Sequence, residues 1–312
     1  MSADEDYAAA AIRQGSKSFS AAARLFDARS RESVTLLYAW CRHCDDQVDG
    51  QDLGHGAQPM SQTEAVARLD ALYLQSRQAY AEEPVDSLPF RALRTVARRH
   101  RLPEQLALAH LDGYAMDVRG TVYETFEDTL RYCYGVAGVV GLMMCQVMGA
   151  SGRDALDRAC DLGLAFQLTN IARDLVEDAQ VGRCYLPRRW LLEQRLTQSD
   201  LGARQHRDRL AALAARLVDA AEPYYASALQ GLPALPFRSA WAVASAHGVY
   251  RQIGIQVKRR GARAWDSRVR TSTPTKLRLM LGGLGRALVS RWARAAPRPD
   301  GLWQRPPGWR LG

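Results

Sequence analysis

Leu, Ala, Val and Ile recur at three-to-four-residue spacing over long windows of this 312-residue chain, and that periodicity is its strongest constraint on fold. The spacing places apolar side chains on one face of an α-helix, whereas a strand alternates its faces every second residue. Gly and Pro do not punctuate at the short intervals of an all-β chain. The fold class expected is all-α. Helices are predicted over 4–14, 30–49, 62–80, 88–100 and 103–119, then from near Thr125, and from Ser151 to about Glu177. Further helices are predicted over 188–195, 198–229, 233–261 and 273–295. Pro89 and Pro103 suit first-turn positions, and Ser151-Gly152-Arg153-Asp154 resembles a capping box. An apolar content of 47% supplies the core of one large or two ordinary domains.

Two acidic sets stand out on this helical background. Asn170, Asp174 and Asp178 fall at i, i+4 and i+8, so a helix presents all three on one slowly drifting face, with Glu177 beside them. Asp45, Asp46 and Asp49 form the second set, one turn after Arg42 on a helix that also carries Tyr38. Clustered carboxylates repel unless a cation shares them, and Mg2+ takes such oxygens while keeping waters or substrate phosphates as further ligands. A solvated acidic face explains either set alone; two sets together favour a shared cavity. Asp45-x-Gln47-x-Asp49-Gly50 imitates the start of a calcium loop, but its twelfth position is Gly56 where a Glu is required.

Charge and cysteine usage narrow the classes further. From Lys258 onward there are fourteen Lys or Arg against Asp266 and Asp300, so this segment carries all of the chain's formal excess of +9. That balance suggests an anionic surface, and lipid is favoured over nucleic acid because aromatic interleaving and a nucleic-acid motif are missing. The predicted 273–295 helix mixes Leu, Met and Trp with Arg, as an interfacial or a docked terminal helix does. Six Cys lie mostly in apolar runs and do not form a secreted disulfide framework; Cys41-Arg42-His43-Cys44 reads as buried small hydrophobes rather than a zinc site. The acidic Met1–Asp6 stretch is unlike a signal peptide, and the run from Gly135 to Ala150 falls short of the ~20 residues of a membrane span. A cytoplasmic protein, soluble or peripherally attached to membrane, is expected.

Several smaller features accompany the acidic sets. Gly135, Gly138 and Gly141 recur every three residues, which suits close approach of a neighbouring helix or a groove for a slender apolar ligand that Tyr134 begins. Ser16 and Lys17 lie in a small polar stretch that suits a helix cap or an anion. The 50–61 stretch reads as a loop or a flap. Asp112 and Asp117 read as surface caps, and His247 as structural.

If both acidic sets line one cavity, they would hold several Mg2+ ions, and a diphosphate would complete the ion shells. Lys17, Arg42, Arg173, Arg183, Arg268 and Tyr250 would take the remaining phosphate oxygens, a task for which Arg forks are well matched. With an apolar tunnel below, the ligand would be a prenyl diphosphate. Metal ions would stabilise the departing diphosphate, and a dry pocket with aromatic faces such as Tyr38 or Tyr134 would shelter the allylic carbocation.

Tyr38-Ala39-Trp40-Cys41-Arg42…Asp45-x-x-x-Asp49 and Gln167-Leu168-Thr169-Asn170-Ile171-x-Arg173-Asp174-x-x-x-Asp178…Arg183-x-Tyr185-Leu186-Pro187 resemble the two signatures of the squalene/phytoene synthase family. Ser16-Lys17-Ser18-Phe19 and Tyr134-Gly135-Val136-Ala137-Gly138 match further family stretches, and the likeness runs from about residue 8 to about 270. It implies a single-domain isoprenoid synthase helical bundle with a central apolar cavity; with the terminal helix the domain is expected over residues 1–295, and the Pro- and Gly-rich 296–312 stretch is expected to be a disordered tail. It implies Mg2+ or Mn2+ at Asp45, Asp49, Asn170, Asp174 and Asp178. Catalytic roles would fall to Tyr38, Arg42, Tyr134, Gln167 and Tyr185, and substrate contacts to Ser16, Lys17, Arg173, Arg183, Tyr250, Arg268 and Gly138. The implied reaction, of carotenoid biosynthesis, joins two geranylgeranyl diphosphates head to head through the cyclopropylcarbinyl prephytoene diphosphate, without NADPH. The alternatives are a squalene or dehydrosqualene synthase acting on farnesyl diphosphate, or a non-catalytic relative. Of these, the intact acidic sets argue against the last.

Overall fold

The computed structural model describes residues 7–12, 17–51, 60–81 and 83–306, the side chains of 17–19 excepted, and among these there is no strand. Residues 7–12 are helical, within the helix expected over 4–14; after them come α1 (Lys17–Ala23), α2 (Ala28–Asp49), α3 (Gln62–Tyr80), α4 (Leu88–His100), α5 (Glu104–Val118) and α6 (Phe126–Cys133). A π-helical turn (Tyr134–Gly138) joins α6 to α7 (Val139–Val147). Then come α8 (Arg153–Gln180), α9 (Arg188–Glu193), α10 (Arg207–Leu229), α11 (Phe237–Arg260) and α12 (Thr273–Val289).

Local chemistry sets the helix ends. The Asp27 carboxylate accepts from the Ser30 amide at 2.9 Å and starts α2, and Gly50, at φ 62°, stops it in a left-handed conformation that glycine adopts at least cost. Thr125 and Asp128 form a reciprocal capping box for α6. The capping box expected at Ser151 does not form: Gly152 occupies the cap of α8 without a side-chain bond. The helix expected over 198–229 is shortened to α10, because Asp200 bonds back to the Thr197 amide and hydroxyl, both at 2.7 Å, and holds a separate tight turn.

α8 is the axis, with α7, α10 and α11 packed along it, while α2 to α5 build the opposite wall and α1 and α12 cover α11. Main chains approach closely where α7 and the π-turn meet their neighbours. A Cβ on Gly135 would lie 2.6 Å from the Gly113 Cα of α5. One on Gly141 would collide with the Ala159 carbonyl of α8. The helix-packing reading of these glycines therefore holds. The π-turn leaves the Gly135 carbonyl available, and His110 Nδ1 donates to it at 3.0 Å. By length and composition the stretch Phe126–Val147 could cross a membrane, but 61% of its apolar window is buried inside the fold, where it serves as core.

The C-terminal region differs most from expectation. α12 ends at Val289 rather than 295, because the Ser290 hydroxyl turns back onto the Ala287 carbonyl at 2.8 Å and Arg291 leaves the helix to donate to the Leu232 and Leu235 carbonyls. Residues 296–306, expected within a disordered tail, instead dock across α8, with Leu302 buried and Arg298 forked onto Asp161 at 2.7 and 2.9 Å. Pro and Gly in this stretch exclude a helix, but they do not exclude docking through Arg and Leu. Residues 307–312 lie outside the described residues.

Candidate active site

A cavity of about 380 Å³ lies between α8, α7 and the wall formed by α2, α5 and α11. Its α8 lining runs from Asn170 and Gln167 through Gly163 and Ala159 to Ala155, roughly 22 Å at about 1.5 Å per helical residue. One end is polar and holds Tyr38, Arg42, Asp45, Gln167, Asn170 and Tyr250. The middle is apolar, with Val136, Val140, Met144, Leu162 and Phe166.

The two acidic sets face this same mouth. Arg183, just after α8, bonds Asp49 of α2 at 2.6 Å, which ties the sets together. Arg42 donates to Asp45 at 2.6 Å and also reaches the Tyr38 hydroxyl. Arg173 forks onto Asp174 at 2.8 and 2.5 Å, while Arg268 reaches Asp174 at 3.2 Å and also pairs with Glu177. Carboxylates still outnumber these cations. Burial, and then the charge of Asp49, push the Asp45 carboxyl up to about 7. Burial, and then Asp174, push Asp178 up to about 8. Burial and crowding by like charge thus favour the protonated form of both carboxyls even beside arginines.

The structure adds two residues to the mouth. Asp117, read from the sequence as a surface cap, is pushed up to about 6 by burial, with Arg183 opposing and Asp49 reinforcing the shift. It accepts hydrogen bonds from Tyr185 and from Tyr132, the latter at 3.2 Å. Tyr132 stacks on Tyr185 with centroids 4.4 Å apart, which places the predicted Tyr185 at the acidic mouth. The only sequence signal for Tyr132 was its place two residues before Tyr134.

Two predicted site residues fall elsewhere. Tyr134 does not line the cavity: its ring packs 5.3 Å from Trp303 of the docked C-terminal segment, because a π-turn begins at this residue. Gly138 is likewise absent from the lining, and a Cβ there would meet Cys160 Sγ at 3.1 Å, so it serves helix packing. Gly141 and Gly163 line the hollow instead. Tyr250 reaches it with its ring stacked 4.1 Å from Phe166. Ser16, the Lys17 side chain and most of the 50–61 loop lie outside the described residues. His247 is structural as expected, buried and bonded to the Tyr225 carbonyl at 3.1 Å.

The donor set bears on the metal expectation. The Asn170 amide oxygen is buried without a hydrogen-bond partner, while its Nδ2 donates to Gln167 Oε1 at 3.2 Å. An orphaned acceptor beside proton-holding carboxylates fits a hard cation. Among the described residues, no three His, Cys, Asp or Glu side chains converge on one metal position. The fit is therefore to ions whose shells are completed by waters and phosphate oxygens, not to a closed protein cage.

An all-α domain with an acidic, arginine-lined mouth over an apolar hollow is the architecture of helical isoprenoid synthases. A dehydrosqualene synthase solved with a ligand superposes with a TM-score of 0.82 at 29% identity, covering 92% of this chain and 97% of that one. The squalene synthase HpnC from Alicyclobacillus acidocaldarius follows with a TM-score of 0.72 at 25% identity, covering 83% and 94%. The family model for squalene/phytoene synthase matches residues 12–275, and the chain belongs to that family. It is 55% identical to a 15-cis-phytoene synthase of Enterobacter agglomerans, over 94% of this chain and 99% of that one. It is 46% identical to another from Paracoccus, over 95% and 96%. Relatives of the phytoene synthase type are thus near in sequence and squalene-type neighbours distant, so the sequence supports phytoene synthase function.

Proposed function

We propose that the protein is a Mg2+-dependent prenyltransferase that condenses two geranylgeranyl diphosphates to phytoene through prephytoene diphosphate, releasing two diphosphates. The observation that carries this reading is the junction at Asn170, where the acidic, arginine-lined mouth passes into an apolar hollow along α8. Asp45 and Asp49 on one side, and Asn170, Asp174 and Asp178 on the other, would hold Mg2+ or Mn2+. The metal would act as a Lewis acid toward the departing diphosphate.

The protein's own groups then have defined tasks. Arg42, Arg173, Arg183 and Arg268 are released from carboxylates as substrate phosphates arrive, and their forks match phosphate oxygens. Tyr38, Phe166 and Tyr250 line the hollow beside the mouth, where aromatic rings would stabilise an allylic carbocation. His110 also borders the hollow, and burial lowers its pKa to about 4, so it stays neutral and adds no repulsive charge. In the first step C1 of one chain bonds to one carbon of the other chain's allylic double bond as its diphosphate leaves, and loss of a proton from that C1 closes a second bond to the other carbon, giving the cyclopropylcarbinyl diphosphate. In the second, the remaining diphosphate departs, the ring opens, and loss of a proton closes the reaction, so no hydride donor is required.

Incubation of purified protein with geranylgeranyl diphosphate and Mg2+, without NADPH, should give a C40 hydrocarbon and two diphosphates. A parallel incubation with farnesyl diphosphate tests the squalene-type alternative, and faster C30 formation would replace the present reading.

Attachment to a membrane belongs to the same proposal. Leu277, Leu281 and Leu288 form one exposed stripe on α12, continued by Trp292 at 81% exposure. Arg278 and Arg294 are exposed nearby, as an anionic bilayer would favour. Much of the remaining C-terminal charge is used internally: Lys258 pairs with Asp219 at 2.5 Å, Arg298 with Asp161 and Arg305 with Asp157. Binding to anionic vesicles should therefore depend on Trp292 and Leu281, and binding unchanged in Leu281→Gln/Trp292→Ala would refute this surface.

A further inference from the structure

The end of the cavity remote from the acidic mouth is closed by an arginine. Arg158 lines the hollow beside Ala155, Ala228, Gly231 and Leu235, yet it is only 2% exposed. Its guanidinium turns away from the hollow, to Asp154 at 3.1 Å, Ser227 at 3.2 Å and the Ala296 carbonyl at 2.5 Å. The stem thus faces the apolar space while its charge is consumed behind it.

Everything behind that guanidinium is tied to the C-terminal segment. The Ala296 amide donates to Gln230 at 3.1 Å, and Arg291 holds the Leu232 and Leu235 carbonyls at 2.6 and 2.8 Å, so the turn carrying Gly231 is pinned. Arg298 forks onto the fully buried Asp161, which also accepts from Ser227 at 2.5 Å. Arg305 anchors on Asp157 at 2.5 Å, and the Trp303 amide on the Tyr224 hydroxyl at 3.3 Å. None of these residues touches the acidic mouth.

We propose that Ser290–Arg305 is a strap that holds the cavity floor, and that Arg158, seated by this strap, sets the longest prenyl chain the site accepts. The proposal rests on reading the hollow as a prenyl pocket. Its physical content is depth. An apolar chain one carbon unit too long must displace Arg158, whose charge then loses three partners; a chain that stops short of Arg158 leaves apolar space unfilled. Hydrophobic pockets discriminate by about 10–200-fold per methylene-sized change, so a moving floor has a readable effect.

Two changes should move the floor in opposite directions. Arg298→Gln/Arg305→Gln removes the strap's anchors and should let Arg158 retreat. Gly231→Ala places a Cβ 2.9 Å from Arg158 Cβ at an unstrained backbone position, φ −82°, and should push Arg158 into the hollow. The experiment compares kcat/KM for C15, C20 and C25 prenyl diphosphates in the full chain. It also uses titration calorimetry with n-alkyl diphosphates of increasing length, which need no turnover. The anchor variant should raise the C25-to-C20 ratio about tenfold or more, and Gly231→Ala should raise the C15-to-C20 ratio by a similar factor.

Limited proteolysis within 290–305 reports whether the strap has come off, and circular dichroism reports folding. Ratios and longest-bound alkyl chain both unchanged, in a folded variant with a cleavable strap, overturn the proposal. Should the anchor variant not fold, Gly231→Ala decides alone, and unchanged chain-length ratios there overturn it equally. If the wild-type chain turns over no prenyl diphosphate, the function reading fails separately. The alkyl series then still decides the floor: a shifted longest-bound chain supports it and an unshifted one overturns it.

Discussion

At the mouth of the cavity Asp45, Asp49, Asp117, Asp174 and Asp178 share Arg42, Arg173, Arg183 and Arg268, whereas at the floor Asp161 has Arg298 and Asp157 has Arg305. The mouth is overcrowded with negative charge, and two of its carboxyls are pushed to about 7 and 8. The floor is matched pair by pair, across more than a hundred residues of sequence. Arg–carboxylate pairs of the same geometry therefore do different work. On the proposed reading, surplus negative charge recruits cations, which in turn hold phosphates; balanced charge, once buried, locks segments together and is strongly missed when one partner goes.

The most disruptive way to probe this contrast is Asp178→Asn. Turnover should fall by at least about 10²–10³-fold, the scale of losing one charge-organising group, as measured by phytoene formation. Stability of the metal-free protein should change the other way. The folded-state pKa of Asp178 is about 8 against an ordinary 3.8. Between those values the folded protein holds more protons than the unfolded chain. The contribution to stability is thus full below pH 3.8, falls as pH rises, and is lost above about 8. Asp178→Asn should remove that decline and raise Tm at pH 8, and Mg2+ should raise the wild-type Tm but not that of the variant. A variant that loses both activity and Tm would show the mouth to be a structural pair like the floor.

Asp161→Ala tests the other end. Leaving Arg298 and Ser227 without their shared acceptor should cost about 3–5 kcal/mol in urea unfolding. A cost below about 1 kcal/mol would mean that the floor pair is not structural. Tyr132→Phe should act more mildly, lowering kcat while changing stability by about 1 kcal/mol for one hydrogen bond to Asp117. Smallest of all is acid sensitivity. Burial lowers His110 and His247 to about 4 from an ordinary 6.5. The unfolded chain therefore binds protons first, and stability should drop as pH falls from about 6.5 to about 4. Replacing His247 by Asn should flatten that slope in thermal melts, and an unchanged slope would remove His247 from the account.

Local order was legible without coordinates wherever it is written in periodicity. The helices over 62–80 and 88–100 appear at their predicted bounds, and the acidic sets at 45–49 and 170–178 lie on α2 and α8 as spacing required. Helical phase is a near-neighbour property, so i, i+4 and i+8 carboxylates share a face whatever the rest of the chain does. The motif signatures, too, are contiguous strings. What the sequence by itself determined is therefore an all-α chain of the squalene/phytoene synthase family, carrying two acidic helices.

Tertiary structure alone decided which side chains those helices meet. It brought Asp117 and Tyr132 to the mouth, turned Tyr134 out to Trp303 across a π-turn, and laid residues 296–306 over α8. No local period marks Arg298 for Asp161 or Arg305 for Asp157, because such pairing depends on where two distant backbones come to rest. Burial then fixes the consequence: an Arg or Asp removed from water must find its partner, and only the folded chain shows which one is within reach.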